Sequence, residues 1–197
     1  MKPIYQSVKF TQALASSSLV LALGVVIYLL LGANISLLGK LGWWWSILLG
    51  LLAGASTYAL VYCLTKNFWM NSTSMHELMD KLASLFRDFS WPAILVISLM
   101  AGLSEELLLR GLLQNWLIEL IGPAGGIGLA SLVFGLMHYL SRTYVLVTFA
   151  LGLLFGIAYY LSNSLLFVII AHAVYDVLAF AVLVKYPHLL GIIRSLS

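Results

Sequence analysis

The sequence predicts an all-α, polytopic integral membrane helix bundle, with about six transmembrane helices plus one amphipathic helix on the cytoplasmic side. Three observations carry that expectation. Hydrophobic residues make up 62% of the 197 positions and charged residues 9%, against an apolar content of ~45–50% in soluble domains. A soluble fold of this size could not hide that much apolar surface, so the bilayer is the solvent. Apolar runs of about twenty residues recur along the chain, which is the length that crosses a hydrocarbon core as a helix. Short breaks rich in glycine, proline and polar residues separate those runs.

The chain reads as a single membrane domain over 1–197, with leading spans and an interfacial helix in 1–90 and a four-helix core in 91–185. Spans are expected near 11–33, 42–64, 91–119, 124–140, 144–161 and 164–184. Lys2 and Lys9 resemble the start of a secretory signal, but the apolar run from Ala13 to Gly32 exceeds a typical signal core of ~7–15 residues. No small-residue cleavage site follows it, so the run is read as the first span. Gly39-Lys40-Leu41-Gly42 breaks the chain with a charge between glycines. Gly122-Pro123 ends one helix and suits the first turn of the next. Ser141-Arg142-Thr143 and Ser162-Asn163-Ser164 are short polar turns. Trp43, Trp44, Trp45 and Trp91 belong near the lipid headgroups, where indoles prefer to sit.

The net charge of +3 is spread thinly between apolar runs, which points to membrane orientation and away from nucleic acid. With the N-terminus inside, Lys2, Lys9, Lys66, Lys81, Arg87, Arg142, Lys185 and Arg194 are cytoplasmic. Lys40 is outside and Arg110 lies within a span. The positive-inside rule therefore predicts that both termini are cytoplasmic; a bacterial plasma membrane is the expected location. Cys63, the single cysteine, cannot form an intramolecular disulfide and is expected to be a buried helix residue.

Residues 74–89 differ from the rest. Met75, Leu78, Met79, Leu82, Leu85, Phe86 and Phe89 fall on one helical stripe, and polar residues fill the other face. Ser74 and Glu77 have capping-box spacing. The segment should lie in the cytoplasmic interface, either as a connector or as a gate over a site.

Ionisable groups inside spans cost ~2.5–3.5 kcal/mol each on insertion scales, so they persist when paired, solvated or useful. The last four spans hold Glu105, Glu106, Arg110, His138, His172 and Asp176, while Glu119 is near a helix end. Glu106 and Arg110 are i,i+4 and can pair within one helix. Glu105 points about 100° away and has less help from Arg110. A buried carboxylate with a partial partner is suited to accepting a proton. Phe134 and His138 are i,i+4 on a second helix. His172 and Asp176 are i,i+4 on a third, where the carboxylate can orient the imidazole. Carboxylates and imidazoles from three helices that converge in a bundle interior can activate water. A structural Glu–Arg pair, histidines that bond between helices or a proton relay would use the same residue types.

Glu105, Glu106, Arg110 and Gly111, then Phe134 and His138, then His172 and Asp176, together resemble the CPBP family. These are the CAAX-processing and bacteriocin-processing intramembrane proteases, also called the Abi family. The S-L-L-F-V-I-I-A-H run ending at His172 is similar to the family's last motif, and the resemblance covers roughly 92–180. It implies a glutamate-dependent endopeptidase acting on a membrane-associated peptide or protein. By position, Glu105 is the general base and His138 helps to hold the water. His172 and position 176 stabilise the oxyanion, and Glu106, Arg110 and Phe134 support the site. Many relatives carry Asn where this chain has Asp176. An ionised aspartate cannot donate to an oxyanion, so Asp176 is either protonated or orients and charges His172.

The resemblance also admits a zinc enzyme, with Glu105, His138 and His172 as ligands around an open position and Asp176 behind them or as a fourth ligand. The Glu106–Arg110 pair favours a metal-free site with no cofactor. The expected partners are membrane lipid and a membrane-associated peptide or protein, not nucleic acid, and the substrate's prenylation and the oligomeric state stay open. A non-catalytic scaffold, a bacteriocin-immunity factor or a proton-coupled transporter are the rival readings.

Other patterns carry less. His76-Glu77 lacks the second histidine of a zinc helix. Gly102-Leu103-Ser104 is followed by Glu105 where a serine protease of the rhomboid type has a small residue. Gly152 and Gly156 read as a close-packing seam. One expectation is awkward: at ~1.5 Å per residue, His138 lies only ~6 Å from its cytoplasmic helix end while Glu105 and His172 lie ~20 Å deep. Tilt, an extended loop or a recessed fourth helix must close that gap beside a cavity open to the cytoplasm.

Overall fold

A computed structural model describes residues 7–69 and 73–190. Lys2 and Arg194, used above for orientation, lie outside them. The elements are α1 (Phe10–Leu31), α2 (Gly42–Leu64), α3 (Thr73–Phe86), α4 (Trp91–Glu106), α5 (Asn115–Met137), α6 (Arg142–Ser162) and α7 (Leu165–Phe180). A π-helical stretch, Leu107–Gln114, joins α4 to α5, and shorter ones, Thr65–Trp69 and Ala181–Lys185, extend α2 and α7. Among the described residues the structure is all-α.

Five helices among the described residues are long and apolar enough to cross a membrane. One of them, Trp91–Met137, has 47 residues. At ~1.5 Å per residue that is roughly 70 Å, more than twice a hydrocarbon core of ~30 Å. The helix reverses at Gly122, whose φ of 78° and ψ of 170° are not helical, and Pro123 opens the returning limb. Side-chain positions confirm the reversal. A Cβ on Gly126 would lie 2.6 Å from Ile118 N, and the Arg110 guanidinium stands 4.7 Å from the centre of the Phe134 ring. The five helices therefore give six limbs, close in number to the expected spans, and the returning limb of this hairpin is shorter than the core is thick.

The same hairpin removes the depth problem. Glu105 stands seventeen residues before Gly122 and His138 sixteen residues after it. Counted from this apex the two are level. The returning limb, 123–137, is about 22 Å long at helical rise and stops short of the level where α4 begins. The recessed fourth helix is the explanation that applies.

Helix α7 runs through the middle. Ser46, Gly50, Gly54 and Thr57 form the buried face of α2, at a spacing that lets backbones approach closely. A Cβ on Gly54 would lie 2.4 Å from Ala171 O, and one on Gly102 of α4 would lie 2.8 Å from Ile169 O. Small residues on two neighbours thus clamp the turns of α7 around His172. Where α6 ends, Lys40 Nζ donates to Leu161 O at 3.1 Å, placing a cation at a helix C-terminus, where the dipole favours it.

Helix α3 lies across the opposite end of the bundle. Met75, Leu78 and Leu82 are buried against Phe89, Ile94, Ile97, Leu183 and Val184, and Phe86 meets Phe180 edge-on at 4.8 Å. The apolar stripe is as expected, though α3 begins at Thr73, so Ser74 is a helical residue and not the cap. Phe89 lies past the helix end yet is buried. Lys9, Lys66, Lys81, Arg87, Arg142 and Lys185 gather at the α3 end, and Lys40 stands at the other. Trp43, Trp44, Trp45 and Trp91 are exposed on the perimeter. Cys63 is on a helix as expected but is exposed: it faces outward from α2, away from the face that the glycines press onto α7.

Candidate active site

The site begins where α4 passes into the π-helical stretch. A π segment widens the helix locally, and such segments are frequent at functional sites. Glu106, Arg110 and Gln114 recur every fourth residue there and are all buried. Arg110 Nε stands 3.2 Å from Glu106 Oε2, the pair expected from spacing. Arg110 Nη2 donates to Gly152 O at 3.2 Å, and Gln114 Nε2 donates to Gly156 O at 2.9 Å. Gly152 and Gly156 are thus a close-packing seam as expected, and also the acceptors for this polar row. Gln114 was not singled out from the sequence, because a glutamine in an apolar run carries no partner information.

Glu106 has a second partner. Its Oε1 accepts from His172 Nδ1 across the helix interface at 2.7 Å. The other ring nitrogen, Nε2, is 3.6 Å from Asp176 Oδ2, too long for a hydrogen bond. Phe155 stacks on the His172 ring at 5.5 Å, and Phe134 meets it edge-on at 5.9 Å. The sequence pairs His172 with Asp176; the structure makes Glu106 its close partner and Asp176 the loose one.

Glu105 faces the other way. Its side chain is 18% exposed, against 0% for Glu106. Its Oε2 has no hydrogen-bond partner among the described residues and lies 3.6 Å from His138 Nε2. His138 caps the returning limb of α5. Its Nδ1 is 2.9 Å from Phe134 O, so Nδ1–H donates to that carbonyl and Nε2 is the nitrogen turned toward Glu105.

These groups open onto one cavity of about 430 Å³. Glu105, Phe134, His138, His172 and Asp176 line it, while Arg110 and Glu106 stand behind its wall. Met75, Leu78, Met79, Leu82 and Phe86 of α3 line it too, so this helix covers the site. The cavity also takes in Tyr144 and Tyr175, which no sequence pattern marks.

The zinc alternative places Glu105, His138 and His172 on one ion. Among the described residues no three His, Cys, Asp or Glu side chains are spaced to hold a metal. His172 Nδ1 is held by Glu106 and His138 Nδ1 by a backbone carbonyl, which leaves the two Nε2 atoms as the nitrogens a metal would have to use. As these side chains stand they do not form that zinc site, and no step below is routed through a metal.

No curated protein and no solved structure matches the chain. Residues 87–178, which hold every residue of the expected site, match the model of the type II CAAX prenyl endopeptidase Rce1-like family, a CPBP-type family as the motifs suggest, and this supports an intramembrane CAAX-type endopeptidase in general.

Proposed function

We propose that the protein is a glutamate-dependent intramembrane endopeptidase in which Glu105 activates water. One observation carries the proposal: Glu105 Oε2 and His138 Nε2, from the two limbs of one hairpin, lie 3.6 Å apart on a shared cavity. That gap is too long for a direct hydrogen bond and within the reach of one bridging water; Oε2 is itself buried, so Glu105 turns it toward the cavity to take the water up. Glu106 is unsuited to be the base, because one of its oxygens faces His172 and the other Arg110.

The steps balance without a cofactor. The water donates a proton to Glu105 as its oxygen bonds to the scissile carbonyl carbon, and the carbonyl π pair moves to oxygen. His138 Nε2 holds the water in line. Collapse of the tetrahedral intermediate breaks the C–N bond, and Glu105 returns the proton to the leaving nitrogen. With both ring nitrogens protonated, His172 keeps Nδ1–H on Glu106, which aligns the ring, and offers Nε2–H to the oxyanion, with Asp176 3.6 Å from that nitrogen. Donors of this kind, fixed in a water-poor site, favour the transition state over the substrate. The substrate is a membrane-associated peptide or protein reaching the cavity from the cytoplasmic side, the end covered by α3.

Cleavage of a membrane-associated reporter peptide by the purified protein in lipid vesicles tests this reading. Glu105→Gln should abolish cleavage while circular dichroism and thermal unfolding match the wild type. A folded Glu105→Gln protein that still cleaves at the wild-type rate removes the mechanism.

A further inference from the structure

The proposed mechanism leaves the oxyanion poorly served. His172 offers one N–H, and the carboxylate of Asp176, 3.6 Å from that nitrogen, opposes negative charge beside it when ionised. Resting on the peptidase reading, we propose that the Tyr144 hydroxyl is a catalytic donor that contacts the substrate's scissile carbonyl oxygen and stabilises the tetrahedral oxyanion.

Three observations support this. Tyr144 lines the same cavity as Glu105, His138, His172 and Asp176. Its ring meets that of His138 at 6.4 Å and 71°, which puts it beside the water-holding imidazole. Its hydroxyl makes no hydrogen bond to the protein among the described residues, whereas those of Tyr62 and Tyr159 do.

The residue is also held at the start of a helix. Tyr144 N donates to Ser141 Oγ at 3.1 Å, and Tyr144 O accepts from Thr148 Oγ1 at 2.8 Å. Its backbone is anchored while its phenol faces the cavity. A neutral phenol O–H supplies what a carboxylate at position 176 cannot: a hydrogen aimed at a developing anion, with no proton transferred. Tyr175 shares the cavity but lies against Tyr58 and Phe155, with ring centres 6.2 and 6.5 Å away, and has no contact with the His138 ring. It serves as the control.

The experiment compares wild type, Glu105→Gln, Tyr144→Phe and Tyr175→Phe in vesicles, with the reporter peptide and with a phosphinate analogue of its tetrahedral intermediate. Tyr144→Phe should lower kcat by roughly 10²–10³-fold, the usual loss for one oxyanion donor, with KM within about twofold. It should weaken binding of the phosphinate by a similar factor and leave product-peptide binding unchanged. Should Tyr144→Phe fail to fold, 3,5-difluorotyrosine at position 144 preserves the ring and strengthens the donor, and it should tighten phosphinate binding. Glu105-dependent cleavage that proceeds at full rate in Tyr144→Phe, or phosphinate affinity insensitive to either change, overturns the inference alone. A losing effect equal in Tyr175→Phe also overturns it. Equal cleavage by wild type and Glu105→Gln overturns the peptidase reading and this inference with it.

Discussion

Glu106 joins two helices through one carboxylate: Oε1 accepts from His172 Nδ1 at 2.7 Å on α7, and Oε2 faces Arg110 Nε at 3.2 Å on its own helix. Both atoms of the carboxylate are buried, and so is the guanidinium. The Arg110 head is further placed over the Phe134 ring, which links the helix that bears Glu105 to the limb that carries His138. Removing Glu106 therefore removes the counter-charge of a buried cation and the orienting contact of an imidazole together.

Glu106→Gln should destabilise the fold by about 3–5 kcal/mol, the cost of stranding one member of a buried ion pair. Glu105→Gln should change stability far less, because Glu105 is partly exposed and has no hydrogen-bond partner to lose. Denaturant or thermal unfolding in detergent compares them. Replacing both Glu106 and Arg110, as Glu106→Gln with Arg110→Met, should recover part of the loss. Equal stability of Glu106→Gln and Glu105→Gln would show that the pair contributes little.

Chelation separates the two peptidase chemistries. Extended dialysis against a strong zinc chelator should leave Glu105-dependent cleavage unchanged, since no three ligating side chains are grouped among the described residues. Activity that falls on chelation and returns with added zinc would require the side chains to regroup and would replace the glutamate mechanism.

Two glycine substitutions should part in opposite directions. Gly54→Ala places a methyl 2.4 Å from the Ala171 carbonyl oxygen, a backbone atom that no rotamer change can move. The overpacking should cost about 1–3 kcal/mol and shift the turn that carries His172, so cleavage should fall as well. At Gly128 nothing lies within 4 Å of the added methyl, and Gly128→Ala should be neutral or stabilise by about 0.4–1 kcal/mol. Matched unfolding curves check both.

Orientation can be read chemically. In a Cys63→Ser background, Lys40→Cys should react with a membrane-impermeant thiol reagent added outside intact cells, and Arg87→Cys should react only after lysis. Among the described residues, six basic ones at the α3 end against one at the other end favour this arrangement. The reverse pattern would place the cavity on the outer side.

The passes were legible because apolar length is a local property, and Gly122-Pro123 marked the reversal. Depth was misjudged for His138 because it was measured from the polar turn at Arg142, whereas the hairpin apex sets its level. The Glu106–Arg110 and Phe134–His138 pairs are legible as i,i+4 spacings within one helix. The Glu106–His172 contact is not, since it depends on how two distant helices rotate and slide against each other. The π stretch L-L-L-R-G-L-L-Q also reads as ordinary helix, since its residues carry no local mark of widening. Gly50 and Gly54 could have been found, as their spacing with Ser46 is that of a close helix seam.

The apex at Gly122 has a consequence for how this stretch can vary. One residue inserted in or deleted from either limb turns the remainder by about 100° and slides it by about 1.5 Å. Glu105 or His138 would then face lipid or protein instead of its counterpart. Substitutions can accumulate between them, but single-codon gains and losses cannot, so the spacing from 105 to 138 should be inherited as a fixed length.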